Sequence, residues 1–224
     1  MINITKSQPA PLCLSTEKEK ANGDYKCGEV LKRITKDFHN KCYICEEKEI
    51  STINVEHFKP HKGDKELKFD WNNLFLSCGH CNNIKLEKYD DILDCTDNEI
   101  VILDLLKFEI KPFPKEKAQI TALNTDKQVV LTSQLLNEVY NGTTVLKTIE
   151  GLNIRNKLIK EIIEFQRILH YYYDEPGLSD EEKFELRNKL KHKLRPDAPF
   201  TAFKYWVIKN NDELATEFKD LINC

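Results

Sequence analysis

Apolar positions fall into three textures along the chain. Residues 1–23 are polar, with Pro9 and Pro11 near the start, and read as an arm with a short helix around residues 15–21. In residues 24–39, Tyr25, Leu31, Ile34 and Phe38 recur near one face, the spacing of a helix buried on one side, and Asp24 is placed to cap it. Residues 40–97 lose that periodicity. Here a short strand is expected at Thr52–His57 and a charged loop with Pro60 and Gly63 over 58–69. A second apolar segment holds Trp71, Leu74, Phe75 and Leu76, and a short helix follows over 80–88.

Beyond residue 97 helical periodicity dominates. Ile100–Leu106 is an apolar run, strand or brief helix. Gln119–Leu123 and Gln128–Thr132 read as a hairpin turning at Asn124-Thr125-Asp126. Residues 133–150 read as a helix broken near Asn141-Gly142. The longest helix is expected at Asn153–Tyr173, with Ile154, Leu158, Ile162, Phe165 and Leu169 on one stripe. Ser179 and Glu182 form a capping box that opens a further helix, which Pro196 ends, and Phe200–Lys209 and Asp212–Ile222 complete the chain. The pattern predicts an α+β protein in three parts: an arm and packing helix at 1–40, a small mixed core at 41–97, and a mainly helical region at 98–224.

Composition narrows the class. The 224 residues are 40% hydrophobic and 32% charged, which suits a soluble globular protein, and seven glycines are too few for a glycine-rich barrel. No run of about 18 apolar residues is present, so no membrane span is expected. The opening MINITKSQPAPLC lacks the apolar core of a signal peptide. Eight cysteines in such a chain point to a reducing, cytoplasmic setting, where Cys-x-x-Cys pairs serve metals or redox chemistry. Net charge is −3, so no basic field covers the molecule, and any nucleic-acid grip must be local or supplied by a partner.

Two Cys-x-x-Cys pairs, Cys42/Cys45 and Cys78/Cys81, bracket the core. Two thiolates on a tight turn can reach one ion, and a second pair closes a tetrahedron at Zn–S distances of about 2.3 Å. Four sulfurs leave no open position, so the zinc expected here is structural. A thioredoxin-like redox pair would need a strand–helix context that this segment lacks. Cys13, Cys27, Cys95 and Cys224 stand singly and read as ordinary thiols.

The insert between the pairs carries a second chemistry. It contains Glu56-His57 and Asn73-Leu74, and Asn82 follows the last cysteine. Cutting a phosphodiester requires a deprotonated water, and histidine titrates near neutrality. It also requires charge neutralisation at the phosphate and the leaving oxygen, which a hard divalent cation on oxygen ligands supplies. Lys59, Lys62 and Lys85 add local positive charge. His80, inside the second pair, is expected to be exposed.

This order of residues resembles the HNH endonuclease family with its ββα-metal fold. The resemblance implies His57 as general base, Glu56 and Asn82 as ligands of a catalytic Mg²⁺ or Mn²⁺, and Asn73 as the residue that orients the histidine and braces the loop. It also implies a phosphate contact at Lys85. Asn82 departs from the histidine common at its position, which favours a hard cation. Three segments are further similar to the PtuB nuclease subunits of the Septu anti-phage system: Val55-Glu56-His57-Phe58-Lys59-Pro60, Asp70-Trp71-Asn72-Asn73-Leu74 and Ser77-Cys78-Gly79-His80-Cys81-Asn82-Asn83-Ile84-Lys85. That likeness implies DNA as substrate and an ABC/SMC-like ATPase of the PtuA type as partner, docked on the C-terminal helices, with some such systems also joined to a retron. The rival reading is a non-catalytic zinc-ribbon nucleic-acid-binding or adaptor subunit, which needs the cysteines but not Glu56, His57 and Asn82 together.

Overall fold

The computed structural model describes residues 1–50, 52–174 and 177–222. The elements run in the order α1 (Leu12–Lys18), α2 (Gly28–Asp37), β1 (Ile53–His57), α3 (Lys65–Lys68), β2 (Leu74–Cys78), α4 (Gly79–Lys85), α5 (Ile102–Leu105), β3 (Leu106–Glu109), β4 (Gln119–Ala122), α6 (Lys127–Asn141), α7 (Val145–Asp174), α8 (Asp180–Lys193), α9 (Thr201–Lys209), α10 (Asp212–Glu217) and α11 (Lys219–Ile222). A 3-10 turn at Trp71–Asn73 leads into β2. The fold is mixed and mostly helical, in line with the α+β expectation. Among the described residues no helix is long and apolar enough to cross a membrane.

The small core is an antiparallel β1–β2 pair followed at once by α4. Val55 lies opposite Leu76, Glu56 opposite Phe75, and His57 opposite Leu74. Every residue of β2 is buried. Val30 and Ile34 of α2, with Phe38 just past its end, pack beneath, and Phe38, Tyr43, Phe58 and Phe75 form an aromatic cluster. The arm holds this core from outside. Lys6 Nζ donates to the carbonyls of Leu74 (2.7 Å) and Trp71 and lies 4.2 Å from the Trp71 ring centroid. Trp71 Nε1 donates to the Ser7 carbonyl at 3.0 Å.

The sequence reading and the structure differ at several places. The helix expected over 24–39 begins only at Gly28, with Cys27 at its N-cap, because Asp24 spends its carboxylate on the Lys26 N–H at 2.9 Å. Tyr25 is thereby outside the helix. The hairpin expected at 119–132 is not formed. β4 pairs with β3 instead, Phe108 opposite Ile120, and residues 127–141 are helical because Asp126 accepts from the N–H groups of Gln128 and Val129. Cys13 and Cys27 are joined in a disulfide: α1 and the start of α2 bring their Cα atoms to 6.5 Å, within bridging range. Cys95 is a buried thiol, and Cys224 lies outside the described residues. Finally, α7 extends from Val145 rather than Asn153, its stripe of Ile154, Leu158, Ile162, Phe165 and Leu169 buried. The break at Gly142 stands where expected. Its φ of +75° is unfavourable for other residues, and a Cβ there would meet the Thr148 backbone nitrogen at 2.3 Å.

The helical region grips the small core directly. Tyr140 Oη donates to the Cys45 carbonyl at 2.7 Å. Lys41 Nζ donates to the carbonyls of Pro196 and Ala198, each at 2.7 Å. Glu46, buried beside it, accepts from the Met1 ammonium at 2.8 Å and faces the Ala202 N–H at the start of α9.

Candidate active site

Cys42 and Cys45 lie on a turn beneath β2, pinned by the Tyr43 N–H on the Leu76 carbonyl at 3.0 Å. Cys78 closes β2 and caps α4, its sulfur accepting from the Cys81 N–H at 3.4 Å. The four sulfurs lie within 4.8 Å of one another and all four residues are buried; Cys45 and Cys78 Sγ are 4.0 Å apart. Tetrahedral zinc at about 2.3 Å per bond needs sulfurs about 3.8 Å apart, so the cluster can hold a structural zinc ion. The electrostatics fit as well. Burial pushes the Cys45 and Cys81 thiols up, and four buried sulfurs ionise together only around a cation.

Beside this clamp, Glu56, His57 and Asn82 line one cavity of about 290 Å³, with Lys85, Tyr25 and Lys26 on its walls. Strand β1 presents the first two residues and the start of α4 the third. Because α4 springs directly from the second cysteine pair, the clamp fixes the position of Asn82 against β1.

His57 is half-buried, and its Nε2 lies 2.9 Å from the Lys68 carbonyl. A carbonyl only accepts, so Nε2 carries the proton and the Nδ1 lone pair is left for another partner. Burial, the largest influence, holds the His57 pKa below its ordinary value, against the hydrogen bond to Lys68; the ring is neutral near pH 7. The rings of Tyr25 and His61 flank it, at 4.4 and 4.6 Å between centroids.

Glu56 is 7% exposed. One oxygen accepts from the Tyr43 hydroxyl and lies 3.7 Å from Lys85 Nζ; the other faces Ser77 Oγ at 3.4 Å. Burial raises its pKa, while Lys85 and Tyr43 pull the other way. Burial next to this carboxylate also pushes Tyr43 well up, so its hydroxyl stays a donor. A carboxylate offers about four lone-pair directions, so Tyr43 and Ser77 leave acceptor capacity toward the cavity. Together with the Asn82 amide oxygen this donor set is of the hard-oxygen type that suits a divalent cation such as Mg²⁺.

Asn73 is buried and does not line the cavity. Its Oδ1 accepts from the Lys59 N–H at 2.7 Å, and its Nδ2 donates to the carbonyls of Lys59 (2.9 Å) and Leu67 (3.1 Å). It thus ties both ends of the 59–67 loop, one residue short of the carbonyl that holds His57. Lys59 and Lys62 are exposed on that loop.

Two expectations about individual residues need correcting. Lys85 is not a free phosphate-binding cation: it is 2% exposed, and its Nζ donates to the Phe58 carbonyl at 2.9 Å beside Glu56. The first turn past Cys81 points position 85 inward under β1. His80 is not exposed either. Its Nδ1 meets Glu150 at 2.6 Å and its Nε2 the Val139 carbonyl at 2.8 Å, clipping the clamp to α6 and α7.

Three contributors were not anticipated. Tyr43 and Ser77 hold Glu56, and Tyr25 packs on His57. Tyr43 sits inside the first Cys-x-x-Cys and Ser77 directly before the second, so the motif itself could have flagged them. No local signal marks Tyr25, whose contact is made across the fold.

Comparison with known families gives one match. The family model for HNH endonuclease fits residues 42–88, the segment that contains the clamp, Glu56, His57, Asn73 and Asn82. No curated protein matches the chain. The matched domain supports a nuclease-type function.

Proposed function

We propose that this chain is a metal-dependent endonuclease that hydrolyses DNA phosphodiester bonds through Glu56, His57 and Asn82. One observation carries the reading: the base-type His57, its neighbour Glu56 and, from a separate element, Asn82 line one cavity inside the segment that fits the HNH endonuclease family.

The chain's own residues divide the work. His57, its Nε2 proton held on Lys68, is left with Nδ1 to take a proton from an attacking water. Asn73 stiffens the loop from which that carbonyl projects, so the ring keeps one orientation. Glu56 and Asn82 would hold a Mg²⁺ or Mn²⁺ ion; when bound, it neutralises charge at the phosphate and the leaving oxygen. Lys85 and Tyr43 favour the ionised form of the Glu56 carboxylate against its burial and keep it aimed. The four cysteines would hold a structural zinc that locks α4 to β2 and so fixes Asn82 in the cavity with Glu56. Lys59 and Lys62, exposed on the loop beside the site, face solvent where a phosphate backbone would run.

Net charge of −3 leaves little general attraction for DNA. This suits a reading in which the chain works as the nuclease of an anti-phage complex whose partner grips the DNA. An ABC/SMC-like ATPase would supply much of the DNA grip. A supercoiled-plasmid assay tests the activity. The protein, alone and with a candidate ATPase, should nick DNA when Mg²⁺ or Mn²⁺ is added and stop when excess EDTA is present. Cleavage of neither DNA nor RNA in any cation, with or without the partner, would instead favour the zinc-ribbon adaptor.

A further inference from the structure

The Cys13–Cys27 disulfide closes a segment that no part of the mechanism above uses. That segment nonetheless reaches the reacting centre. Tyr25, two residues before Cys27, lays its ring 4.4 Å from the His57 ring at an interplanar angle of 54°. Lys26 lines the same cavity.

The segment is fastened to the element that sets the histidine. Lys68 uses its backbone carbonyl to accept from His57 Nε2 and its side chain to donate to the Gly23 carbonyl at 3.2 Å. Lys18 pairs with Glu66 on the same turn, α3. Within the segment, the Asp24 N–H donates to Glu17 at 3.0 Å, and the chain passes so close to α1 at Gly23 that a Cβ would lie 1.8 Å from the Glu17 carbonyl oxygen. On one side of Tyr25, Gly23 is therefore pinned to α3; on the other, Cys27 is tied to Cys13 of α1 by the disulfide.

A histidine fixed only through Nε2 can still swing about that hydrogen bond. The Tyr25 ring at 4.4 Å and the His61 ring at 4.6 Å pack against the imidazole and restrict that freedom. We propose that Tyr25 is a positioning residue for His57, and that the disulfide-closed segment Cys13–Cys27 holds it in place. This rests on the nuclease reading for its kinetic consequence but not for its geometry.

The test uses the 224-residue protein and three variants: Tyr25→Ala, Tyr25→Phe and the double variant Cys13→Ser/Cys27→Ser. Removing the ring should lower kcat about 10- to 100-fold with KM little changed, the scale of a misplaced catalytic group. Phe keeps the ring and should restore kcat to near wild type. The double variant should fall in the same direction. The second readout is NMR of the His57 ring protons, assigned by their loss in His57→Ala. They lie within reach of the Tyr25 ring current, 4.4 Å between ring centroids, and should shift in Tyr25→Ala but not in Tyr25→Phe. Unchanged His57 shifts and unchanged kcat in Tyr25→Ala would overturn the proposal. So would a Phe variant as impaired as Ala. A double variant indistinguishable from wild type in both readouts would overturn the role of the disulfide. If wild type cuts nothing under any condition, the nuclease reading fails, and the NMR shifts alone decide the positioning role.

Discussion

Lys85 is 2% exposed and has Glu56 as its nearest carboxylate, at 3.7 Å. Taking either charge away strands the other in a poor solvent. Lys85→Met should therefore lower stability by about 3–5 kcal/mol, the usual consequence of breaking one side of a buried pair. Urea denaturation reads this as a drop in midpoint. A variant that folds as stably as wild type but shows a raised KM would mean that Lys85 serves phosphate after all. Lys204 gives the opposite case. It is fully buried, and burial pulls its pKa from 10.5 down to about 8, against the attraction of Glu161 at 3.4 Å. Because the folded value lies below the unfolded one, the unfolded chain binds more protons between those values. Stability from this group thus rises with pH across that window and is lost below it. Lys204→Met should stabilise the protein at pH 7 by about 1–3 kcal/mol, since Glu161 keeps Lys193 at 3.3 Å. The gap to wild type should narrow as pH climbs from 8 to 10; a gap constant over that range would contradict the burial account. The spacing of Glu56, His57, Asn73 and Asn82 against the cysteines was legible because it is local. The burial of Lys85 and His80 was not, because each depends on which element packs across it.

Elements defined by their own residues were likewise readable. β1, α4, the break at Gly142 and the capping box of Ser179 and Glu182 follow from alternation, from the cysteine pair, from a positive φ and from a reciprocal cap. The failed hairpin shows the limit. Gln119–Ala122 does form a strand, but its partner comes from residues 106–109, and Asp126 caps a helix instead of turning a chain. Strand pairing is a tertiary choice, and a side chain with two N–H groups in reach outweighs a weak turn signal. The clamp is the element on which the site most depends, since β2 and α4 meet at Cys78. Metal analysis of the purified protein should find about one zinc per chain. Cys78→Ser should lose the zinc and, with it, protection of amides in residues 42–88 from hydrogen exchange. Full protection in a zinc-free protein would show that the four sulfurs serve packing alone.

At the scale of the molecule, the small core and the helices are joined by polar contacts that are themselves buried. Lys41 reaches two carbonyls past α8, Glu46 faces the start of α9, and Tyr140 holds the first cysteine turn. None of these was visible in periodicity, which shows only that a helix has an apolar side. The disulfide between Cys13 and Cys27 escaped for the same reason: nothing in a 14-residue separation marks two cysteines as partners. What the helices and clamp together achieve is a fixed cavity in which His57 keeps one tautomer beside Glu56 and Asn82. The most direct measurement of that claim compares wild type with His57→Ala in plasmid nicking with Mg²⁺ or Mn²⁺, both proteins verified as folded and zinc-loaded. The account predicts cleavage by wild type and a loss of at least about 100-fold in the variant. Equal cleavage by the two proteins would contradict it.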